Sequence, residues 1–257
     1  MRPGPGGWLS NETRLGRLLR LPLRLIPAGA VVPILSGPLR GRRWVVGAGP
    51  HGYWLGTYEA DKQRLLQTLL REGDCFFDVG ANVGFFTLLA SALVGRSGRV
   101  VAFEPLPQNL AFLRRHLLLN RVRNAAVYDA AVSDAAGVVA FAEGDSRSAG
   151  RINRSGRLAV RAVTLDDLWR RGEVPAPRAV KIDVEGAEGA VLRGAAGLLS
   201  AARPVVVLAG HGWAAQQECG DLLARLGYRL VLTRDGTADG MYESVAYPQG
   251  GVVEGSG

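Results

Sequence analysis

The chain has 257 residues, of which 47% are hydrophobic and 21% are charged, and this composition is typical of a globular protein rather than a disordered one. The formal net charge is +8, and arginine supplies nearly all of the positive charge because Lys62 and Lys181 are the two lysines. The arginines are scattered, so no single basic stripe indicates a nucleic-acid surface.

The amino-terminal part of the chain, residues 1–57, is rich in glycine and proline and is predicted to be an extension with disordered first residues. Within it, residues 14–26 are both basic and apolar. Arginines and a proline interrupt this run, which argues against a signal peptide and favours a short helix packed on the main domain, with a surface-lying helix as the alternative. No run of 18 or more apolar residues is present, so no membrane span is expected.

The chain then alternates between short apolar strands and helices. Strands are predicted at residues 44–46, 53–55, 75–79, 100–103, 125–128, 138–141, 158–163, 179–183, 204–208, 228–232 and 242–247. Helices are predicted at residues 58–71, 85–94, 109–119, from a Thr164 N-cap onward, 187–199 with a break near Gly194, and 213–226. Residues 143–157 are predicted to be a loop, and Asp235-Gly236 to be a turn. This alternation predicts an α/β domain over residues 58–247 with a mostly parallel sheet covered on both faces, followed by a flexible tail at residues 248–257.

The turn after the strand at residues 75–79 carries the first cofactor signal. Ligands of open α/β sheets bind outside the carboxyl ends of the strands. Here the chain reads Asp78, Gly80, Asn82 and Gly84 at alternate positions. This spacing differs from the G-x-G-x-x-G of dinucleotide sites, and a leading carboxylate would repel a pyrophosphate. A carboxylate suits a ligand that carries an ammonium and a sulfonium, which favours S-adenosylmethionine over NAD.

The end of the next strand carries a second carboxylate, Glu104, 24 residues after Gly80. A carboxylate at this place can accept hydrogen bonds from a ribose diol. Taken singly, Asp78 could be a turn or capping acid and Glu104 a solvated charge. Their occurrence together at adjacent strand ends, with the glycines, favours a cofactor site.

Three segments together resemble the FkbM family of class I methyltransferases: FDVGANVGFFT at residues 77–87, GRVVAFEP at 98–105 and VKIDVEGAE at 180–188. The resemblance extends over residues 33–247. It implies a Rossmann-like fold with a seven-stranded, mostly parallel sheet, helices on both faces and an antiparallel last strand. It also implies methyl transfer from S-adenosylmethionine, commonly to a hydroxyl of a sugar or natural product.

The resemblance also implies roles for individual residues. The block from Asp78 to Gly84 would hold the methionine and ribose part of the cofactor, and Glu104 would bind the ribose hydroxyls. Asp129 lies where such enzymes contact the adenine, with a strand-end turn acid as the alternative. Asp183 would face the region of methyl transfer.

The segment after the fifth predicted strand of the sheet departs from the family pattern. Family members usually carry a glutamate followed two residues later by a histidine, whereas this chain has Ala209 and then His211. An alcohol must lose a proton on methylation, so a general base helps, and His211 is the first candidate, followed by Asp183 and Glu185. His211 could instead be a surface or capping residue.

The other histidines, two glutamates and Lys181 have mainly structural roles in this interpretation. His116 is predicted to lie on a solvated helix face, and His51 could be a lid residue. Glu185 and Glu188 share a helix start, where acids often stabilise the helix dipole. Lys181 precedes Asp183 by two positions, so both should point to the same face of a strand and form a charge pair.

Cys75 and Cys219 are far apart in sequence and lack the spacing of metal ligands, so no metal site is predicted. A metal site formed by Asp183 and nearby acids is left open as an alternative. Nothing requires an oxidising compartment, so a cytoplasmic protein is expected. The expected partner is a small hydroxylated acceptor, with no specific nucleic acid, and a homodimer is left open. The alternatives are a methyltransferase of RNA or another macromolecule, an NAD-dependent oxidoreductase, and a non-catalytic cofactor-binding homologue.

Overall fold

The computed structural model describes residues 25–143, 150–152, 158–234 and 241–250. Several predicted features lie outside these ranges: nearly all of the basic apolar segment that begins at residue 14, most of the loop at residues 143–157, the Asp235-Gly236 turn and most of the tail.

The strands and helices are numbered here in chain order. The strands are β1 (Val31–Pro33), β2 (Arg43–Val45), β3 (Cys75–Val79), β4 (Arg99–Phe103), β5 (Ala125–Tyr128), β6 (Ala131–Val132), β7 (Gly137–Glu143), β8 (Gly150–Ile152), β9 (Leu158–Val163), β10 (Ala179–Ile182), β11 (Val205–His211), β12 (Tyr228–Arg234) and β13 (Met241–Pro248). The helices are α1 (Gly52–Leu55), α2 (Ala60–Leu69), α3 (Phe85–Leu93), α4 (Pro107–Leu119), α5 (Leu165–Arg170), α6 (Glu188–Arg193), α7 (Ala196–Ala202) and α8 (Trp213–Arg225).

A seven-stranded sheet with the order β12-β13-β11-β10-β3-β4-β5 forms the centre of the protein. The pairs from β11 to β5 are parallel, and β13 lies antiparallel between β11 and β12. Every residue of β3 and β10 is buried, as expected for central parallel strands covered on both faces. The predicted Rossmann-like fold with its antiparallel last strand is confirmed.

Two local predictions about helix ends are confirmed in physical detail. The Thr164 side chain accepts a hydrogen bond from the Asp167 N–H at 3.0 Å and so caps α5. The predicted break near Gly194 separates α6 from α7. A Cβ at Gly194 would lie 2.0 Å from the Ser133 carbonyl oxygen, so the close approach of that loop requires glycine at this position.

Two assignments were wrong. Residues 53–55 belong to the short helix α1 rather than a strand, because the aromatic side chains that suggested a strand are buried in a cluster with Trp44 and Phe85 instead of alternating across a sheet. Gly56, with φ of +79°, ends this helix. Part of the predicted loop at residues 143–157 is β8, which pairs with β7 in a separate four-stranded sheet of order β6-β9-β7-β8.

The amino-terminal extension packs on the central domain. Ile34, Trp44 and Trp54 share one buried apolar cluster with Phe85 of α3 and Phe76 of β3. Burial of large aromatic side chains is strongly stabilising, so this segment is attached through an apolar core and not through surface contacts alone.

His116 is buried, in contrast to the solvated position predicted for it. Its ring stacks on Trp44 with 3.7 Å between centroids, and its Nε2 accepts a hydrogen bond from the Val45 N–H at 3.1 Å. Its Nδ1 lies 2.8 Å from the Val83 carbonyl oxygen and therefore carries the proton. The flanking arginines suggest a polar face, but a neutral imidazole can join the extension to the domain without burying a charge.

Burial lowers the pKa of His116 to about 4, whereas the unfolded chain takes up this proton near pH 6.5. Stability that depends on the neutral ring is therefore complete above pH 6.5 and is lost as the pH falls. Between about pH 7.5 and about pH 4.5 the wild type is expected to lose about 2 kcal/mol more unfolding free energy than His116→Gln. Urea denaturation at both pH values measures this difference, and His51→Gln is the matched control. Equal losses in the wild type and His116→Gln would contradict the assignment.

Both cysteines are buried thiols without a disulfide, as predicted for Cys75, and burial raises the pKa of Cys75 to about 12. No helix within the described ranges combines the length and the apolar character that crossing a bilayer requires.

Candidate functional site

The candidate site lies at the carboxyl ends of β3, β4, β10 and β11. The chain continues outward from β3 to β4 and β5 on one side and returns through β10 and β11 on the other, so β3 and β10 flank the reversal of strand order. Open α/β sheets bind ligands in the crevice at this reversal.

The turn after β3 is anchored to β4. The N–H groups of Gly80 and Ala81 both donate to the Phe103 carbonyl oxygen, at 3.0 and 2.9 Å. Gly80 has φ of +76°, and a Cβ there would lie 1.9 Å from the Asp183 carbonyl oxygen. Gly84 has φ of +90°, and its Cβ would lie 2.3 Å from Leu113 Cδ1. Both positions therefore favour glycine, because the backbone is left-handed and the protein's own atoms approach closely.

Asn82 also has a left-handed backbone, with φ of +52°, which is uncommon outside glycine. Its Oδ1 is buried and has no hydrogen-bond partner among the residues that the structure describes. Buried acceptors normally have a partner, so this orphaned oxygen indicates a polar group that a ligand or water supplies.

Glu104 is buried and holds this turn together. Its Oε2 accepts from the Asn82 N–H at 2.8 Å, and its Oε1 accepts from the Leu106 N–H at 2.9 Å and from Asn109 Nδ2 at 3.2 Å. A carboxylate has about four acceptor positions. As arranged, Glu104 can therefore accept one further hydroxyl, and a ribose diol would need one of these donors to move. Burial raises the pKa of Glu104 above its ordinary value.

Lys181 joins three groups of the site. Its Nζ lies 3.3 Å from Asp78 Oδ1 and 3.4 Å from Asp183 Oδ2, and it donates to the Gly80 carbonyl oxygen at 3.2 Å. The predicted charge pair of Lys181 with Asp183 is present. Asp78 is fully buried, and its Oδ2 accepts from the Thr87 hydroxyl at 2.6 Å. Asp78 thus acts on the turn through Lys181 instead of facing solvent.

Asp183 is held ionised. Burial alone would raise its pKa, but the ammonium groups of Lys181 and Lys62 and the nearby His211 hold the pKa of Asp183 below its ordinary value. A carboxylate with a lowered pKa is a weak proton acceptor, so this arrangement favours an electrostatic or positioning role for Asp183 over that of a base.

His211 ends β11 and lies between two carboxylates. Its Nδ1 is 2.8 Å from Glu188 Oε1, and its Nε2 is 3.3 Å from Glu185 Oε2. Burial alone would lower its pKa, but the hydrogen bond to Glu188 and the charges of both glutamates raise the pKa of His211. The imidazole is partly exposed, so it is both oriented and accessible.

Helix α2, the residue before it and β13 contribute a second charge cluster. Lys62 Nζ lies 2.5 Å from Glu59 Oε2 and 3.5 Å from Glu243 Oε1, and it is buried. It also lies 5.4 Å from the Phe86 ring centroid, and Lys181 Nζ lies 5.6 Å from the same ring. The sequence does not predict a functional role for Lys62, Glu59 or Glu243, since a lone lysine on an amphipathic helix gives no such signal.

Ala209 is buried in β11 and pairs with Glu243 across the antiparallel β11–β13 ladder. Directly opposite residues of such a ladder lie on the same face. Ala209, which stands where family members carry a glutamate, is therefore next to the carboxylate of Glu243 on the adjacent strand.

Asp129 follows β5 and lies apart from this charge cluster. Its side chain is exposed and approaches Arg114 at 3.9 Å. Within the described residues, no group of three or more His, Cys, Asp or Glu side chains is arranged to hold a metal ion.

Comparison with known proteins identifies the family. The model of the methyltransferase FkbM domain matches residues 78–230, which is more than half of the chain. The chain belongs to the FkbM methyltransferase family. This FkbM protein is 30% identical over 152 residues to a hexuronic acid methyltransferase of Haloferax volcanii, an alignment that covers 58% of this chain and 61% of the relative.

A second relative is the 31-O-demethyl-FK506 methyltransferase of Streptomyces tacrolimicus, 49% identical over 69 residues, or 27% of this chain and 26% of the relative. The alignments thus span about three fifths and one quarter of these two relatives. The crystal structure of a SAM-dependent O-methyltransferase from Thermotoga maritima superposes with a TM-score of 0.51 at 12% identity, covering 88% of this chain and 80% of that one, which supports the fold.

The FkbM methyltransferases use S-adenosylmethionine, and the residues present fit this cofactor. The orphaned Asn82 Oδ1 lies on the turn after β3. Glu104, which has an acceptor position left, follows β4 at the same edge of the sheet and accepts from the Asn82 N–H. Neither group is a donor suited to a pyrophosphate, which agrees with the glycine spacing that disfavoured NAD.

Proposed function

We propose that this FkbM methyltransferase methylates a hydroxyl oxygen of a small acceptor, either a sugar or a natural product. The observation that carries the proposal is His211, an accessible imidazole held between two carboxylates at the edge of the sheet where ligands bind. The names of the two relatives, a hexuronic acid methyltransferase and a 31-O-demethyl-FK506 methyltransferase, support this class of acceptor.

The proposed cofactor residues are Asp78, Gly80, Asn82, Gly84, Glu104 and Asp129. When bound, S-adenosylmethionine supplies a methyl group on a sulfonium centre. Glu104 would accept a hydrogen bond from a ribose hydroxyl, and Asn82 Oδ1 would accept one from a further donor of the cofactor. Asp78 would act through Lys181. Asp129, exposed beyond β5, would contact the adenine.

His211 and Asp183 are the proposed catalytic residues. The acceptor hydroxyl loses its proton to His211 Nε2, because a proton must leave the oxygen as the new bond to carbon forms. Asp183 stays ionised beside Lys181 and orients the reacting groups at the edge of β10. Much of the rate enhancement is expected to come from holding the two reactants in line.

The proposal is tested by incubating the protein with isotopically labelled S-adenosylmethionine and a panel of hydroxylated sugars, hexuronic acids and macrolides. Labelled product with a base-stable methyl ether is the expected result. Label recovered as a base-labile methyl ester would place the methyl group on a carboxylate, and label recovered only in added RNA would support a macromolecular acceptor. Either result would overturn the proposal of hydroxyl methylation.

A cytoplasmic location and a homodimer remain predictions.

A further inference from the structure

The contact between Glu188 and His211 differs from the helix-dipole role expected of an acid at a helix start. Glu188 is the first residue of α6 and is fully buried. Its Oε1 lies 2.8 Å from His211 Nδ1 and also accepts from the Gly186 N–H at 2.9 Å. An acid that only stabilised the dipole would need neither burial nor a histidine partner.

We propose that Glu188 is a positioning residue that holds His211 as its Nδ1–H tautomer, so that Nε2 is the atom that takes a proton from the acceptor. The inference rests on the proposed function, since it assigns the base of that reaction to one ring nitrogen. An ionised carboxylate accepts hydrogen bonds and cannot donate them, so His211 Nδ1 must carry the proton and donate it in a hydrogen bond to Glu188. The second nitrogen of a neutral ring is then an acceptor.

The opposite side of the ring is arranged differently. Nε2 faces Glu185 at 3.3 Å, and the Glu185 side chain is 47% exposed, compared with 0% for Glu188. The buried carboxylate is fixed, whereas the exposed one can move away when an acceptor hydroxyl binds. Glu185 also has a left-handed backbone, with φ of +55°, which is uncommon outside glycine.

The charges that raise the pKa of His211 come from α6 and from the segment after β10, and not from β13 or α8. Glu188 on α6, and Glu185 and Asp183 after β10, raise the pKa of His211 against the effect of burial. On the other side, β13 places neutral Met241 opposite His211, with the nearest acid of that strand at Glu243. Helix α8 begins with Trp213, and its buried polar side chain at this end is neutral Gln216. Removing the Glu188 charge should therefore lower the pKa of the ring.

Nuclear magnetic resonance of ¹⁵N-histidine-labelled protein tests the inference without cofactor or acceptor. The chain has three histidines, so His211→Gln assigns the signal. In the wild type, the Nδ1–H tautomer and a pKa above the usual 6.5 are expected. In Glu188→Gln the pKa should fall by at least about half a unit. Glu218→Gln, which removes an exposed α8 carboxylate paired with Arg193, is the control and should leave the titration unchanged.

An Nε2–H tautomer in the wild type would overturn the inference, as would an unchanged pKa in Glu188→Gln. The wild-type measurement alone decides if Glu188→Gln does not fold. The same variant should shift the acidic limb of kcat/KM to lower pH, which a purely structural defect would not do. If the tautomer is as expected but His211→Gln retains full methyl transfer, the proposed base role fails while the Glu188–His211 pair stands.

Discussion

His211→Gln is expected to lower kcat for methyl transfer by about 10²- to 10⁴-fold, the usual contribution of a positioned general base. Glutamine retains polar atoms near those of the ring but does not take a proton. The dissociation constant for S-adenosylmethionine should stay within about twofold, because His211 lies on β11 and the proposed cofactor residues follow β3, β4 and β5.

The pH dependence of kcat/KM provides a second test of His211 as the base. The raised pKa of His211 means that the wild-type kcat/KM should fall as the pH drops through an apparent pKa above 6.5. In His211→Gln this acidic limb should disappear. Glu218→Gln, which removes an exposed carboxylate of α8, is the control and should leave both kcat and the limb unchanged. A kcat for His211→Gln within about threefold of the wild type would remove His211 from the mechanism.

Lys181→Met is expected to destabilise the protein by about 3–5 kcal/mol, the cost of leaving buried charges without their partner. Lys181 contacts two carboxylates and one carbonyl, and Asp78 has no exposure to water that could replace the lost ammonium. The deficit should be largest at neutral pH. It should shrink as the pH falls towards about 4, because buried carboxylates without a partner become protonated more readily in the folded state than in the unfolded chain.

Urea denaturation measures the loss, and Arg170→Gln is the control, because this exposed arginine also pairs with two carboxylates, Asp166 and Asp167. Such surface pairs contribute about 0–1 kcal/mol. Adding Asp78→Asn to Lys181→Met should restore part of the stability. Equal effects of Lys181→Met and Arg170→Gln would show that the Lys181 network does not hold the site together.

The parts of the fold that were predicted from sequence are those governed by local patterns. Apolar runs such as residues 75–79 and 100–103 match buried parallel strands, and the break at Gly194 follows from a glycine within a helical pattern. The turn from Asp78 to Gly84 could be located because its carboxylate and glycines must follow a strand directly. Lys181 and Asp183 could be paired because strand periodicity puts alternate residues on one face.

The remaining features depend on contacts between distant parts of the chain. Residues 53–55 have the composition of a strand, but they form a helix because they pack on Phe85. His116 was expected in solvent because of its neighbours in sequence, while its partners Val45 and Val83 come from other elements. The opposition of Ala209 and Glu243 depends on the register of an antiparallel pair.

We expect the turn after β3, closed by Glu104, to bind S-adenosylmethionine. Isothermal titration calorimetry with S-adenosylmethionine, S-adenosylhomocysteine and NAD, on the wild type and on Glu104→Ala, tests this claim, with Glu218→Gln as control. The first two compounds are expected to bind the wild type and the control equally, and Glu104→Ala should weaken both by about 10- to 100-fold through loss of a charged hydrogen bond. Failure of both sulfur compounds to bind, binding of NAD alone, or unchanged affinity in Glu104→Ala would contradict the claim.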